Sequence, residues 1–276
     1  MLFRPQRKRF PHTLRDGDLT LHAGATASPS TLAGIAELIR QRDEARRIVG
    51  CVQGNGALSF VKVNRVDGLR RKVRLLLGRQ RRQAGFDWMV AELLNTAEAS
   101  ARNAPVPAVH GFGYRKRRYG LINELFLLTE FLDGYVDGLQ ALEQGRLSAV
   151  QLLTQALDLI GQLHTRQIAH LDLWLGNVMV HTSGQQPKVI DLENCYIGPL
   201  PHFAAVLGFQ FGFLYYYRAQ QYIDEVRFDQ LVEAALVQYP RLDRAAFVDI
   251  YQRAKHQHVG RKERHQLVSH GRFVAD

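Results

Sequence analysis

The sequence predicts an α+β chain in two lobes, a strand-rich N-lobe over residues 1–132 and a mostly helical C-lobe over 133–276. Three observations predict it. Apolar runs rich in β-branched and aromatic residues, separated by turn residues, fill the first part. Stretches with an i, i+3, i+4 apolar pattern fill the second. Between them Asp133-Gly134 breaks the chain just where its character changes. A chain of 276 residues can bury a sizeable core.

In order along the chain, residues 17–23 (GDLTLHA) read as a short strand. Ser28, Pro29 and Ser30 open a helix that the pattern carries to about Arg47, with Ile35, Leu38 and Ile39 on its apolar side. RRIVGCVQ and ALSFVKV follow as two strands, joined by a turn at Gly54-Asn55-Gly56. A helix over roughly 83–99 gathers Phe86, Met89, Val90, Leu93 and Leu94, and Pro105 and Pro107 close that stretch. VHGFGY and LINELFLLTEF are strands separated by the polar loop RKRRYG.

In the second part, Ser148 and Gln151 have capping-box spacing at the start of a helix reaching His164. Its stripe is Val150, Leu153, Leu157, Ile160 and Leu163. Three more helical stretches are FAAVLGFQFGFLYYYRAQQYI, 225–238 and 243–257. The first is read as a buried helix of the second lobe, with contact to a bilayer as the alternative.

Charge is distributed unevenly. Residues 1–120 hold 23 basic and 9 acidic residues, net +14, whereas the remainder is net −4. Eight of the cations and one acid fall within 65–82 (RVDGLRRKVRLLLGRQRR). Such a field draws a polyanion. Nucleic acid is not expected, because the cluster lacks the interleaved aromatics of a base-stacking surface. The N-terminus MLFRPQRKRF has no apolar segment of a secretory signal behind it, and no apolar run reaches spanning length, so a cytoplasmic protein is expected. Cys51 and Cys195 are too few for a disulfide framework or a metal cluster and are read as buried small residues.

The chemistry is concentrated in LHTRQIAHLDLWLGNVMVHTSGQQPKVIDLEN, residues 163–194. His170-Leu171-Asp172 is followed, after four residues, by Asn177; a hairpin of VMVHT and PKVID then returns the chain to Asp191. Three polar residues at these intervals among strand-like apolar ones match the H-R-D-x-x-x-x-N and D-F-G segments of kinases. Phosphoryl transfer needs alignment and neutralisation of charge more than covalent help. Asp172 is placed to take the proton of an attacking hydroxyl. Asn177 and Asp191 offer the hard oxygens that magnesium prefers. Lys62, in a strand resembling V-A-I-K, is the candidate for the nucleotide phosphates. Its acidic partner is read as Asp87, with Glu92 as the alternative. LFLLTEFLDG fits the strand entering an inter-lobe hinge, where the backbone near Glu130, Phe131 and Leu132 would bind adenine.

Over most of its length the chain thus resembles the protein-kinase-like superfamily. It departs from protein kinases in having no recognisable glycine-rich loop, Asp191-Leu192-Glu193 in place of D-F-G, and no A-P-E. Within that superfamily, residues of about 50–215 resemble the bacterial lipopolysaccharide-kinase family, on the lysine strand, the basic stretch, Asp87-Trp88, the run LTEFLDG and V-I-D-L. The resemblance implies ATP, Mg2+ and a sugar hydroxyl of the lipopolysaccharide inner core (Kdo or heptose) as acceptor. It also implies an anionic glycolipid substrate met at the cytoplasmic face of the inner membrane, with peripheral contact to anionic lipid. Each Lys or Arg near such a surface contributes about 1 kcal/mol. Two other readings stand beside it. A small-metabolite kinase of the aminoglycoside or choline phosphotransferase type would share the triplet, and the net −4 of residues 121–276 suits a cationic acceptor. A pseudokinase-like adaptor would explain the missing glycine loop, but not the intact Lys62, Asp172, Asn177 and Asp191.

Overall fold

Turn residues between alternating apolar strands build the first unit, Met1–Ser100 with Pro107–Asp133. The structure is a computed structural model and describes residues 4–41, 45–54, 57–77 and 88–273. After helix α1 (Arg4–Arg9) come strands β1 (His12–Asp16) and β2 (Leu19–Ala23), a hairpin turning at Gly17, whose φ of +54° suits glycine. The sequence pattern shows the second of these strands and not the first, because β1 is largely exposed on an edge and carries no alternation. Helix α2 (Pro29–Gln41) is shorter than its apolar pattern suggests, since Arg47 already belongs to β3 (Arg47–Gln53) and pairs with Asn64 of β4 (Leu58–Arg65). Of the turn joining β3 and β4, Asn55 and Gly56 lie outside the described residues.

The basic run contains a helix that its charges conceal, α3 (Leu69–Leu77). Residues 78–87, including Phe86 and Asp87, lie outside the described residues. Helix α4 (Trp88–Ala101) leads to β5 (Val109–Lys116) and β6 (Ile122–Glu130). Six strands form one antiparallel sheet in the order β1-β2-β5-β6-β4-β3. Because side chains alternate across a strand, each strand serves two cores. Val61, Val63, Phe126 and Leu128 face α2 through Leu32, Ile35 and Ile39. Leu125, Leu127 and Phe112 meet Leu75 of α3 and Met89, Val90 and Leu93 of α4 on the other face. Each such side chain fully buried contributes about 1.5–3 kcal/mol. Cys51 is exposed on edge strand β3, which corrects its expected burial; Cys195 is buried.

The second unit comprises Ala101–Val106 and Gly134–Asp276. It begins with β7 (Tyr135–Asp137), α5 (Gly138–Glu143) and α6 (Ala149–His164). The capping box of α6 forms as its spacing predicts: the Gln151 N–H donates to Ser148 Oγ, and the Ser148 N–H donates to Gln151 Oε1. Strands β8 (Ile168–His170), β9 (Val178–His181), β10 (Lys188–Val189) and β11 (Cys195–Ile197) form two small antiparallel sheets, β10-β9-β7 and β11-β8.

Helices α7 (Phe203–Tyr216), α8 (Glu225–Leu236), α9 (Arg244–His256) and α10 (Arg261–His270) complete the unit. Ala205 to Tyr215 of α7 are all buried, as expected of a helix that is apolar all round, so this run is core and not a bilayer-facing surface. Gly208 and Gly212 let α9 approach: a Cβ on Gly212 would stand 2.6 Å from the Tyr251 carbonyl oxygen. No helix among the described residues is long and apolar enough to cross a membrane.

Candidate active site

In the first unit, Lys62 lies at the centre of β4, with 8% of its surface exposed. A cation so deep in a sheet needs an anion. Lys62 is on the α4 face, opposite Val61 and Val63, and its Nζ donates to Glu92 Oε1 of α4, whose residue is 4% exposed. Glu92, the alternative in the sequence reading, is therefore an acid that meets Lys62. The preferred Asp87 lies outside the described residues.

Glu130 ends β6. Its carboxylate accepts from the Ala108 N–H at 3.0 Å, and its own N–H donates to the Ala108 carbonyl at 2.8 Å. The side chain thus serves as backbone scaffolding at the end of the sheet. Leu132 follows two residues later, half-buried and outside any strand.

In the second unit, β8 delivers His170 to a loop that ends in a 3-10 turn at Leu175–Asn177 and continues into β9. Short hydrogen bonds hold this loop closed. Asn177 Nδ2 donates to the Asp172 carbonyl at 2.9 Å, and the Ile190 N–H donates to the Asn177 carbonyl at 3.0 Å. The loop and the strand that leads to Asp191 are therefore tied together at Asn177.

His170 supplies a second tie. The Asp172 N–H donates to its Nδ1 at 3.2 Å, and its Nε2 donates to the Ile190 carbonyl at 3.1 Å. Only the neutral Nε2–H tautomer makes both bonds. Burial lowers the His170 pKa and thereby favours that form, although the carboxylates of Asp172 and Asp191 pull the other way. Behind it, Gln210 of α7 donates to the His170 carbonyl at 3.1 Å and bonds His164 Nε2 through its Oε1 at 2.7 Å. A buried polar chain thus runs from the end of α6, through α7, to the loop.

Asp191 adopts left-handed backbone angles, φ 64° and ψ 55°. A non-glycine residue there is uncommon, though Asp and Asn tolerate it best. Burial pushes the Cys195 thiol well above its usual range, and the charges of Asp191 and Asp172 add to the effect, so Cys195 is an inert core residue.

Sequence reasoning missed Arg264. This residue of α10 is 5% exposed; its Nη1 donates to Asp172 Oδ1 at 2.5 Å and to the Leu171 carbonyl at 3.1 Å, and its Nε donates to the Val259 carbonyl at 2.9 Å. The guanidinium lies over the ring of Phe213, 4.4 Å from its centroid. RKERHQLVSH has the composition of a solvated helix and offers no local signal of this role. Nearby, Arg261 pairs with Glu193, so α10 makes two ionic contacts with the segment holding the motif.

The second unit therefore brings together Asp172, Asn177 and the strand entering Asp191, while the first holds Lys62, Glu130 and Leu132. Comparison with known proteins agrees with the character of these segments. The model of the lipopolysaccharide kinase (Kdo/WaaP) family matches residues 44–198, more than half of the chain. No curated protein matches. A solved structure of WaaP in complex with acyl carrier protein is similar at 19% identity and a TM-score of 0.44, covering 78% of this chain and 86% of that one. A structure of the bifunctional kinase-methyltransferase WbdD is similar at 17% identity and a TM-score of 0.46, covering 94% of this chain and 53% of that one. The span matched by the family model includes Lys62, Glu92, Asp172, Asn177 and Asp191, and the chain belongs to the lipopolysaccharide kinase (Kdo/WaaP) family.

Proposed function

We propose that the chain transfers the γ-phosphate of ATP to a sugar hydroxyl of the lipopolysaccharide inner core, on Kdo or heptose, where that glycolipid lies beside anionic membrane lipid. The observation that carries this reading is the arrangement around Asp172. Its backbone is fixed from both sides by His170 and Asn177, one carboxylate oxygen is taken by Arg264, and the side chain is still 25% exposed. A carboxylate so oriented and so accessible suits a general base for an incoming hydroxyl.

Asn177 and Asp191 are the proposed Mg2+ ligands. Their chemistry fits, because the Asn177 amide nitrogen is committed to the Asp172 carbonyl and leaves the hard amide oxygen to coordinate. Lys62, held by Glu92, is the proposed partner of the α- and β-phosphates, and the backbone around Glu130 and Leu132 that of adenine. When bound, the metal would neutralise triphosphate charge. Asp172 accepts the acceptor's proton and Arg264 keeps the carboxylate from rotating away. No second reading is favoured by a specific observation.

The test is mass spectrometry of a lipid-borne Kdo or Kdo-heptose acceptor after incubation with the purified chain, Mg2+ and ATP. One added phosphate on the sugar is expected. An acceptor unchanged while a cationic aminoglycoside or choline gains phosphate would overturn the assignment of the acceptor.

A further inference from the structure

The basic run of the sequence takes on a specific form in the structure. In α3, Leu69, Val73 and Leu77 recur every four residues and are 66%, 38% and 53% exposed. At 100° per residue they make one narrow apolar stripe on the helix surface. Leu75 points the other way, into the core. Arg70 and Arg74 follow the stripe on one flank and Lys72 borders it on the other.

Beyond Lys72 lies a cavity of about 380 Å³, lined by Arg40, Arg65, Lys72, Arg115 and Arg117 with Asn123 and Glu124, and on its small apolar side by Ile39 and Val66. Its floor is a row across three strands, since Arg65 and Arg115 are the register partners of Glu124 on either side. Lys72 Nζ donates to Asn123 Oδ1 at 2.5 Å. Some of the charge is answered locally, by Glu37 on Arg40, by Asp67 on Arg65, and by Asp18 and Glu124 on Arg115. Five cations still converge on one polar cavity from four elements and a loop. The floor belongs to the α2 face of the sheet, whereas Lys62 and Glu92 belong to the α4 face, so this cavity is a separate site within the same unit.

From this arrangement we propose that α3 and the neighbouring cavity form a docking surface for an anionic phospholipid bilayer. Leu69, Val73 and Leu77 enter the headgroup–acyl boundary, and the cavity takes a lipid phosphate. A short basic helix with an exposed aliphatic stripe is suited to lying in a membrane interface. The cations beside it match a negative leaflet and give the contact its charge selectivity. An apolar ligand would find too little aliphatic wall in a cavity lined this way. The inference rests on the proposed function only for the acceptor being lipid-borne, and none of its residues has a part in phosphoryl transfer.

The experiment is co-sedimentation of the full chain with vesicles of phosphatidylcholine alone and of phosphatidylcholine mixed with phosphatidylglycerol, at low and high salt. Wild type is expected to bind the mixed vesicles, less at high salt, and not the neutral ones. Leu69→Ser and Leu77→Ser should each weaken binding about tenfold, as loss of a buried leucine implies. Lys72→Gln and Arg117→Gln should each weaken it about fivefold, and added inorganic phosphate should compete. All four variants should keep the wild-type thermal shift with Mg2+-ATP, which separates loss of docking from failure of the fold or of the kinase reading. Equal binding by the leucine variants, or wild type ignoring mixed vesicles while being retained by an immobilised acidic protein, would overturn the proposal.

Discussion

Arg264 donates to the Asp172 carboxylate across 92 residues of sequence, and its guanidinium is enclosed by Phe213 and two backbone carbonyls. A planar fork with several fixed donors suits this position, and a lysine ammonium cannot reproduce it. Arg264→Gln and Arg264→Lys should therefore both lower kcat, by about 10–100-fold, the scale expected when a reacting group is misplaced by about 1 Å. The KM for ATP should stay within about twofold. In Asp172→Asn/Arg264→Gln the losses should fail to add, because both act through one carboxylate. Full kcat in Arg264→Gln, or strict additivity, would return Arg264 to a purely structural role.

Asp172 and Asp191 should separate by phenotype. Asp172→Asn keeps size and hydrogen bonding and should lower turnover by about 10²–10⁴ with nucleotide affinity little changed. Asp191→Asn should weaken Mg2+-dependent nucleotide binding as well as turnover. Calorimetric titration with Mg2+-ATP, run beside steady-state rates, decides between them. Equal loss of affinity in the two variants would contradict the division of roles.

The ion pair under the sheet can be probed through stability. Glu92→Leu leaves the Lys62 cation buried opposite an apolar side chain and should cost about 3–5 kcal/mol. Adding Lys62→Met should recover most of that loss, since a buried pair replaced by apolar groups is often neutral. Neither variant should bind nucleotide as wild type does. Urea unfolding checks the first statement, and a double mutant no more stable than Glu92→Leu would show that the pair does not govern this part of the core.

Stability should also depend on pH through His164. Burial lowers its pKa from 6.5 to about 4, with the Gln210 contact opposing that shift in part. The unfolded chain then binds more protons than the folded one between pH 6.5 and 4. This contribution is fully present above pH 6.5 and is lost as pH falls through that window, on the order of 3 kcal/mol in all. His164→Gln should flatten this part of the profile of Tm against pH. A variant with the wild-type slope would assign the acid sensitivity elsewhere, His22 being similarly lowered.

The parts of this fold legible in the sequence were those whose signal is local. The hairpin of β3 and β4, the long strand β6 and the capping box at Ser148 each follow from neighbouring residues alone, and so does the spacing of Asp172, Asn177 and Asp191. Helix α3 was hidden because charge dominates its composition, and β1 because an exposed edge strand shows no alternation. Glu92 and Arg264 were obscured for another reason. Glu92 is an acid on a helix read for its apolar face, Arg264 lies on a helix that looks solvated in sequence, and in each case only packing against a distant element buries the charge.

The left-handed backbone at Asp191 bears on how that position should be mutated. Alanine, the customary probe, would delete the carboxylate and with it the short polar side chain that helps a non-glycine residue hold this conformation, whose intrinsic cost is roughly 1–2 kcal/mol. A failed Asp191→Ala enzyme would then confound lost chemistry with a relaxed turn, and the turn carries the hydrogen bond from Leu171 to Asn194 that aligns β8 with β11. Asparagine occupies the same backbone region readily. Glycine offers the complementary control, since it removes the side chain and eases the backbone together. Comparing the three would resolve the shape of this turn from the charge it presents.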